Sequence, residues 1–204
     1  VIEQYKVTIT AEDIETPIVA FFEGTAISGT VENIPVGGRR VVKVEAFNPN
    51  NKMIRAGETE EVDVIGGETA EVEVDMESVP VFANLNDGNI VPNTRFIARV
   101  FSDPKDAVTI DDEFEGMGQL LMDVNSNADE LTPDAATCEA RFAPALLSSG
   151  EHKLTAKNVR TGRSSAVTVR LIDGTKIRPA LFYNGGVAAT AKIGGPLTQV
   201  VTTP

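Results

Sequence analysis

Five oxygen-bearing side chains stand at positions 1, 3, 5, 7 and 12 of one short string: Asp123, Asn125, Asn127, Asp129 and Asp134. Hard Ca²⁺ takes several oxygen ligands from a short loop, and this is the spacing an EF-hand-type loop uses. Calcium is therefore the candidate ion and these five residues its candidate ligands. The match is partial. Ala128 stands where Gly normally makes the sharp turn, Asp134 replaces the bidentate Glu, and Pro133 precedes it. The same residues also suit a plain polar loop between two strands, because Asn and Asp favour turns.

Other chemistry is thinly supplied. The chain has one His, one Cys and no Trp, which removes His clusters, Cys pairs and Cys/His cages. His152 lies in phase with Leu154 and Ala156 and reads as a satisfied strand histidine. Cys138 alternates with Ala140 and Phe142 and reads as a small buried hydrophobe. No nucleophile motif, zinc-protease motif or phosphate-binding Gly loop is present in the sequence. The expectation is a protein that is not an enzyme. A second acidic cluster, Asp111, Asp112, Glu113 and Glu115, reads as a solvated loop near Gly116 and Gly118, with completion of a cation site as the alternative.

Charge narrows the partners. Lys and Arg total 18 against 30 for Asp and Glu, a formal charge of −12 and a pI near 4.5. That sign is wrong for neutralising phosphates, so no nucleic acid is expected. Residues 1–78 hold 16 of the acids and only 6 of the bases, which places most of the acidity there. The longest apolar run is about six residues, Pro17 to Phe22, short of the ~18 a spanning helix needs. No transmembrane segment is expected. The first residue is Val1, and the expectation is either a trimmed chain or a mature one whose targeting segment has been removed.

The elements that must position these residues are strands. The clearest alternation sets Ala70, Val72, Val74 and Met76 against Glu71, Glu73, Asp75 and Glu77, predicting a strand with one buried face and a carboxylate stripe. Shorter alternations fall at Tyr5 to Ile9, Ile27 to Val31, Val42 to Ala46 and Val62 to Val64. Turn signals separate them at Pro35 to Gly38, Asn48 to Asn51 and Ile65 to Glu68, the last predicting a hairpin. After Val79-Pro80-Val81, further strands are predicted at Phe96 to Phe101, Val108 to Ile110, Gln119 to Asp123, Cys138 to Phe142, His152 to Ala156 and Ala166 to Leu171. A helix over Thr132 to Ala143 is the competing reading of one stretch. The predicted fold class is all-β, with two tandem antiparallel β-sandwich, immunoglobulin-like domains at residues 1–78 and 79–175. A C-terminal segment, 176–204, carries Leu181, Phe182, Tyr183, Ile193, Val200 and Val201, enough to dock strands.

Two stretches carry a family likeness. Ile27 to Gly37, with Val41 to Phe47 and Gly66 to Ala70, resembles the small β-sandwich domains of bacterial surface lipoproteins. Leu147 to Ala156, with Thr161 to Ser165 and Val167 to Leu171, resembles the closing strands of a bacterial immunoglobulin-like domain. The resemblance implies a bacterial cell-envelope location, periplasmic or extracellular, and a structural role, adhesion or ligand display. The expected function is a non-catalytic module that meets a protein partner through exposed strand edges or loops. A carbohydrate-binding or spacer module of a secreted enzyme system is the alternative, weakened by the absence of Trp and the presence of only 2 Tyr.

Overall fold

A computed structural model describes residues 1–59 and 61–176, with 180–182 and 188–190. Of the described residues about 47% are strand and 3% helical, so the all-β class holds. Sixteen strands follow in order: β1 (Gln4–Thr10), β2 (Ile18–Glu23), β3 (Gly37–Phe47), β4 (Met53–Glu58), β5 (Val62–Val64), β6 (Glu77–Ser78), β7 (Val81–Phe82) and β8 (Asn89–Pro92), then β9 (Ala98–Phe101), β10 (Val108–Phe114), β11 (Met117–Leu120), β12 (Glu139–Phe142), β13 (Gly150–Asn158), β14 (Ser164–Ile172), β15 (Ala180–Phe182) and β16 (Ala188–Thr190). No described helix is long and apolar enough to cross a membrane.

Strands β7 to β14 form a two-layer sandwich. One layer is a five-stranded sheet in the order β11-β10-β13-β14-β8, and the other a three-stranded sheet, β12-β9-β7. Their facing side chains make one core: Phe82, Ala98, Val100, Ala140 and Phe142 from the small sheet, and Val108, Ile110, Leu154, Ala156, Val169 and Leu171 from the large one. Period-two alternation puts these residues on one face of each strand, and each large side chain fully buried contributes about 1.5–3 kcal/mol. All pairings in the sandwich are antiparallel except β8 with β14. Strand β8 lies at a sheet edge and ends in Pro92, the position a residue without an N–H tolerates.

Most strands of the sandwich fall where alternation predicts them, and residues 132–143 form β12 and its approach instead of a helix. One correction is to Asp111–Glu115, which is no loop. Strand β10 sends Asp112 inward and Asp111 and Glu113 outward. It then turns through Glu115 and Gly116, whose φ of 51° and 77° define the primed hairpin turn that suits the strand twist. A second concerns Gln119–Asp123, where the strand is β11, shifted two residues earlier.

Residues 1–78 build one sheet, β2-β1-β3-β4-β6, with β5 also pairing β3. Here the strongest alternation misleads. Residues 69–76 make no strand, and Val72 is exposed. The segment instead passes close over β4: a Cβ on Gly57 would stand 2.1 Å from the Asp75 carbonyl oxygen and 2.9 Å from a Val74 methyl carbon. The Ile65–Glu68 turn does form, through Glu68 N–H to the Ile65 carbonyl at 3.2 Å, but only β5 on its near side is laddered. Ile27 to Val31 is likewise irregular, with Ile27 fully exposed and Gly29 packed against the Phe22 ring. Two irregular segments therefore approach the apolar face carrying Phe22 and Val44, in place of strands. Strand β2, formed by the Pro17–Phe22 run, was not predicted.

At the carboxyl end, Leu181 and Phe182 fall in β15, which pairs with β16. Tyr183, Ile193, Val200 and Val201 lie outside the described residues.

Candidate functional site

Two of the five candidate calcium ligands, Asp123 and Asp134, each accept several hydrogen bonds from the chain. Asp123 is 4% exposed, and its carboxylate accepts hydrogen bonds from the backbone N–H of Ala143 (2.8 Å), Ser126 (2.8 Å) and Asn125 (3.2 Å), the Ser126 hydroxyl (2.8 Å) and the Asn125 amide (3.4 Å). Burial pushes this carboxyl up, but the donors from Ala143, Ser126 and Asn125 outweigh it and hold the group below its ordinary value. Asn127 takes a left-handed φ of 53°, which Asn tolerates, so the turn is made one residue before Ala128. Asp129 is exposed. Asp134 caps its own turn, accepting from Thr137 N–H (2.9 Å), the Thr137 hydroxyl (3.1 Å) and Ala136 N–H (3.0 Å), and those donors lower its pKa. Asp123 and Asn125 are brought together, and Asp134 is engaged with its own turn. Among the described residues no three His, Cys, Asp or Glu side chains are grouped to hold a metal.

His152 is 1% exposed and Asp112 is 0%. Nδ1 lies 2.9 and 3.1 Å from the two Asp112 oxygens, and Nε2 lies 3.1 Å from the Ser148 carbonyl. A carbonyl only accepts, so Nε2 donates to Ser148, while Nδ1 stands within hydrogen-bond distance of both carboxylate oxygens. Gln119 donates to Asp112 at 3.0 Å, and Phe114 stacks on the imidazole at 4.4 Å. Phe114 is the cross-strand partner of His152, so the register itself builds the stack. This is a satisfied strand histidine, as its phase with Leu154 predicted. Cys138 departs from its reading: it is half-buried, with a φ of 55°, just ahead of β12.

A second polar node closes the other end of the same strands. Asp106, 3% exposed, accepts from Arg160 Nε (2.6 Å), Arg160 Nη2 (3.1 Å) and Asn158 Nδ2 (2.8 Å). The Arg160 guanidinium holds its carboxyl below the usual range against the opposing effect of burial. Arg160 and Arg163 also reach Glu77 at 3.4 and 3.0 Å, joining the sandwich to β6. Further bonds cross the same junction, from Lys52 Nζ to the Phe82 (2.7 Å) and Leu85 (2.9 Å) carbonyls and between the Ser78 and Ser102 hydroxyls (3.2 Å). Burial at that site pushes the Lys52 amine down.

The stripe of Glu71, Glu73 and Asp75 has no ion pair among the described residues, and the bases of β3 go to other carboxylates. Arg39 meets Glu61 at 3.5 Å and donates its N–H to Asp63 at 3.3 Å. Arg40 instead is buried, pairs with Asp13, and donates to the Pro35, Val36 and Gly38 carbonyls. That pins the loop before β3. Lys43 goes to Glu45 at 2.8 Å.

The free surface lies at strand edges. Strand β2 ends its sheet and exposes Val19 (45%) and Phe21 (58%); β11 ends another and exposes Met117 (70%) and Leu120 (44%), followed by Met122 and Val124. At the end of β2 a groove of about 450 Å³ is lined by Phe21, Phe22, Phe47, Glu3, Glu23 and neighbouring amides. The register sets its floor. Gln4 stands between Glu23 and Phe47, and the next row on that face is Phe21, Lys6 and Glu45. The apolar run Pro17–Phe22 was the sequence signal for it, legible as an edge strand only once its partner β1 is known.

No family model matches the chain, and no curated protein matches it.

Proposed function

We propose that the chain is a non-catalytic structural and protein-interaction module of a bacterial cell envelope or of a secreted protein, with tandem units at residues 1–78 and 79–175. One observation carries this reading: among the described residues, edge strands such as β2 and β11 display large apolar side chains to solvent. Monomeric proteins usually blunt such edges with charge, Pro or a covering loop, and an open edge offers backbone groups for strand addition. The one imidazole supports the non-catalytic part, since it is buried and both its nitrogens are engaged. The envelope location rests on the resemblance of the two sequence stretches to surface domains. Calcium is no part of this reading, because Asp123 and Asp134 are already turned onto donors of the chain.

The test is a photo-crosslinking amino acid placed at position 21 or 120 and at the exposed control position 32, with the chain expressed in a bacterial envelope. Discrete adducts from 21 or 120 but not from 32 are expected. Equal, diffuse labelling at all three positions would remove the edges as an interaction surface. A carbohydrate-binding reading has one supporting feature, the Phe21 and Phe47 rings beside Gln4 and Asn51 in the groove; retention of one polysaccharide on a glycan array, abolished by Phe21→Ala, would promote it.

A further inference from the structure

We infer that the free edge of β2, with the groove at its end, takes an extended basic segment of a partner protein, which adds as a strand and places a Lys or Arg side chain between Glu3 and Glu23 over the Phe21 ring. The inference rests on the interaction reading above and names the chemistry of the partner. Three features point the same way. Among the described residues, strand β2 has β1 on one side and no strand on the other, which leaves its outer backbone groups for a ladder. Phe21 is 58% exposed beside a groove of about 450 Å³ that no Lys or Arg lines; an exposed aromatic face attracts a cation.

The third feature is uncompensated charge. Glu12 and Glu15 precede β2, Glu23 ends it and Glu3 flanks the groove. All four are exposed, and none has an ion-pair partner among the described residues. Other carboxylates nearby are matched, Asp13 with Arg40 and Glu45 with Lys6 and Lys43. The nearest cations are thus spent on the sheet, and the edge keeps its negative potential for an incoming segment. Those same charges disfavour a second copy. Antiparallel pairing of two β2 strands would bring the Glu12 and Glu15 end of one against the Glu23 end of the other, and like charges directly opposite are destabilising.

The experiment titrates two synthetic probes, acetyl-(Val-Lys)4-amide and acetyl-(Val-Glu)4-amide, into the isotope-labelled full chain and follows backbone amides by NMR and hydrogen exchange. The Lys probe is expected to shift and protect amides of residues 18–23 and the Glu probe to leave them unchanged. Affinity should fall as salt rises, because exposed charges are screened. Glu3→Gln with Glu23→Gln should weaken binding about fivefold, as two rim ion pairs of about 0.2–1 kcal/mol each predict. Both substitutions lie on exposed side chains, so the variant's unchanged amide spectrum elsewhere verifies its fold. Equal binding of the two probes, shifts confined to other strands, no response to the double substitution, or displacement of the Lys probe by an array-positive oligosaccharide would each overturn the proposal. Envelope crosslinks at 21 or 120 that persist while the Lys probe leaves β2 untouched sink the basic-segment proposal alone; loss of both sinks the interaction reading as well.

Discussion

Asp123 shows how one side chain decides between a site and a scaffold. Its two oxygens accept five hydrogen bonds from the chain, so a cation would have to displace donors already in place. Melting curves with millimolar Ca²⁺ and with chelator are expected to coincide, whereas a calcium-dependent rise of several degrees would place an ion on native Asp123 to Asp134. Truncating the same residue strands three buried or turn N–H groups, so Asp123→Ala should lose about 2–4 kcal/mol in urea unfolding, against about 0.5 or less for exposed Asp129→Ala. The His152 and Asp112 pair obeys a different rule. Removing one member leaves a buried polar group without its partner, while replacing both with apolar residues removes the need for either. His152→Leu or Asp112→Leu alone should therefore cost about 3–5 kcal/mol, and the double variant less than the sum. A measured coupling near zero would show that the two side chains do not depend on each other in the folded state.

At the scale of elements, alternation located strands well wherever both faces of the strand met something. The sandwich strands β9, β10, β12, β13 and β14 were legible because one face closes on a second sheet and water bathes the other. The same pattern failed at Ala70–Met76, since periodicity describes a segment's own faces and is blind to whether a partner edge lies within hydrogen-bonding reach. It failed at Ile27–Val31 for the same reason. The candidate ligand string was legible as a list of oxygens, but not as a geometry, because the partner of Asp123 is Ala143, twenty residues away. Asp106, Arg160 and Glu77 were illegible, being separated by up to 83 residues. The Ala70–Met76 segment makes one sharp prediction. Gly57→Ala would drive a methyl into the Asp75 carbonyl, so it should cost about 1–3 kcal/mol by overpacking, with Val72→Ala changing stability by about 0.5 kcal/mol or less as an exposed control. Equal stability of Gly57→Ala and the parent would show that residues 69–76 do not lie against β4.

For the whole molecule, the polar nodes lie at places where the apolar core stops. His152 and Asp112 terminate the inward rows of β10 and β13 at one end, and Asn158 with Asp106 terminates them at the other, where Arg160 and Arg163 reach across to Glu77 on β6. The junction between the first sheet and the sandwich is therefore held by charge-assisted and backbone bonds around buried Val79 and Pro80, and acid attacks that junction and the Asp123 turn together. Asp106 and Asp123 both have folded pKa values below their ordinary ones, near 3.9 for an unfolded Asp. The folded state thus binds these protons less readily than the unfolded state. Their contribution is complete above about pH 5 and is lost as pH falls below about 4 and through the folded values. Unfolding free energy should be flat from neutral pH to about 5 and then drop, with probes in β3 and β13 lost together in one transition because the Asp106–Arg160–Glu77 chain links their sheets. Asp106→Asn keeps the shape, removes one titrating group and leaves Arg160 with only the longer Glu77 pair, so it should be less stable at neutral pH and show a shallower acid loss. A parent-like acid slope in Asp106→Asn, or separate midpoints for the two probes, would mean that this node neither titrates with folding nor couples the two segments.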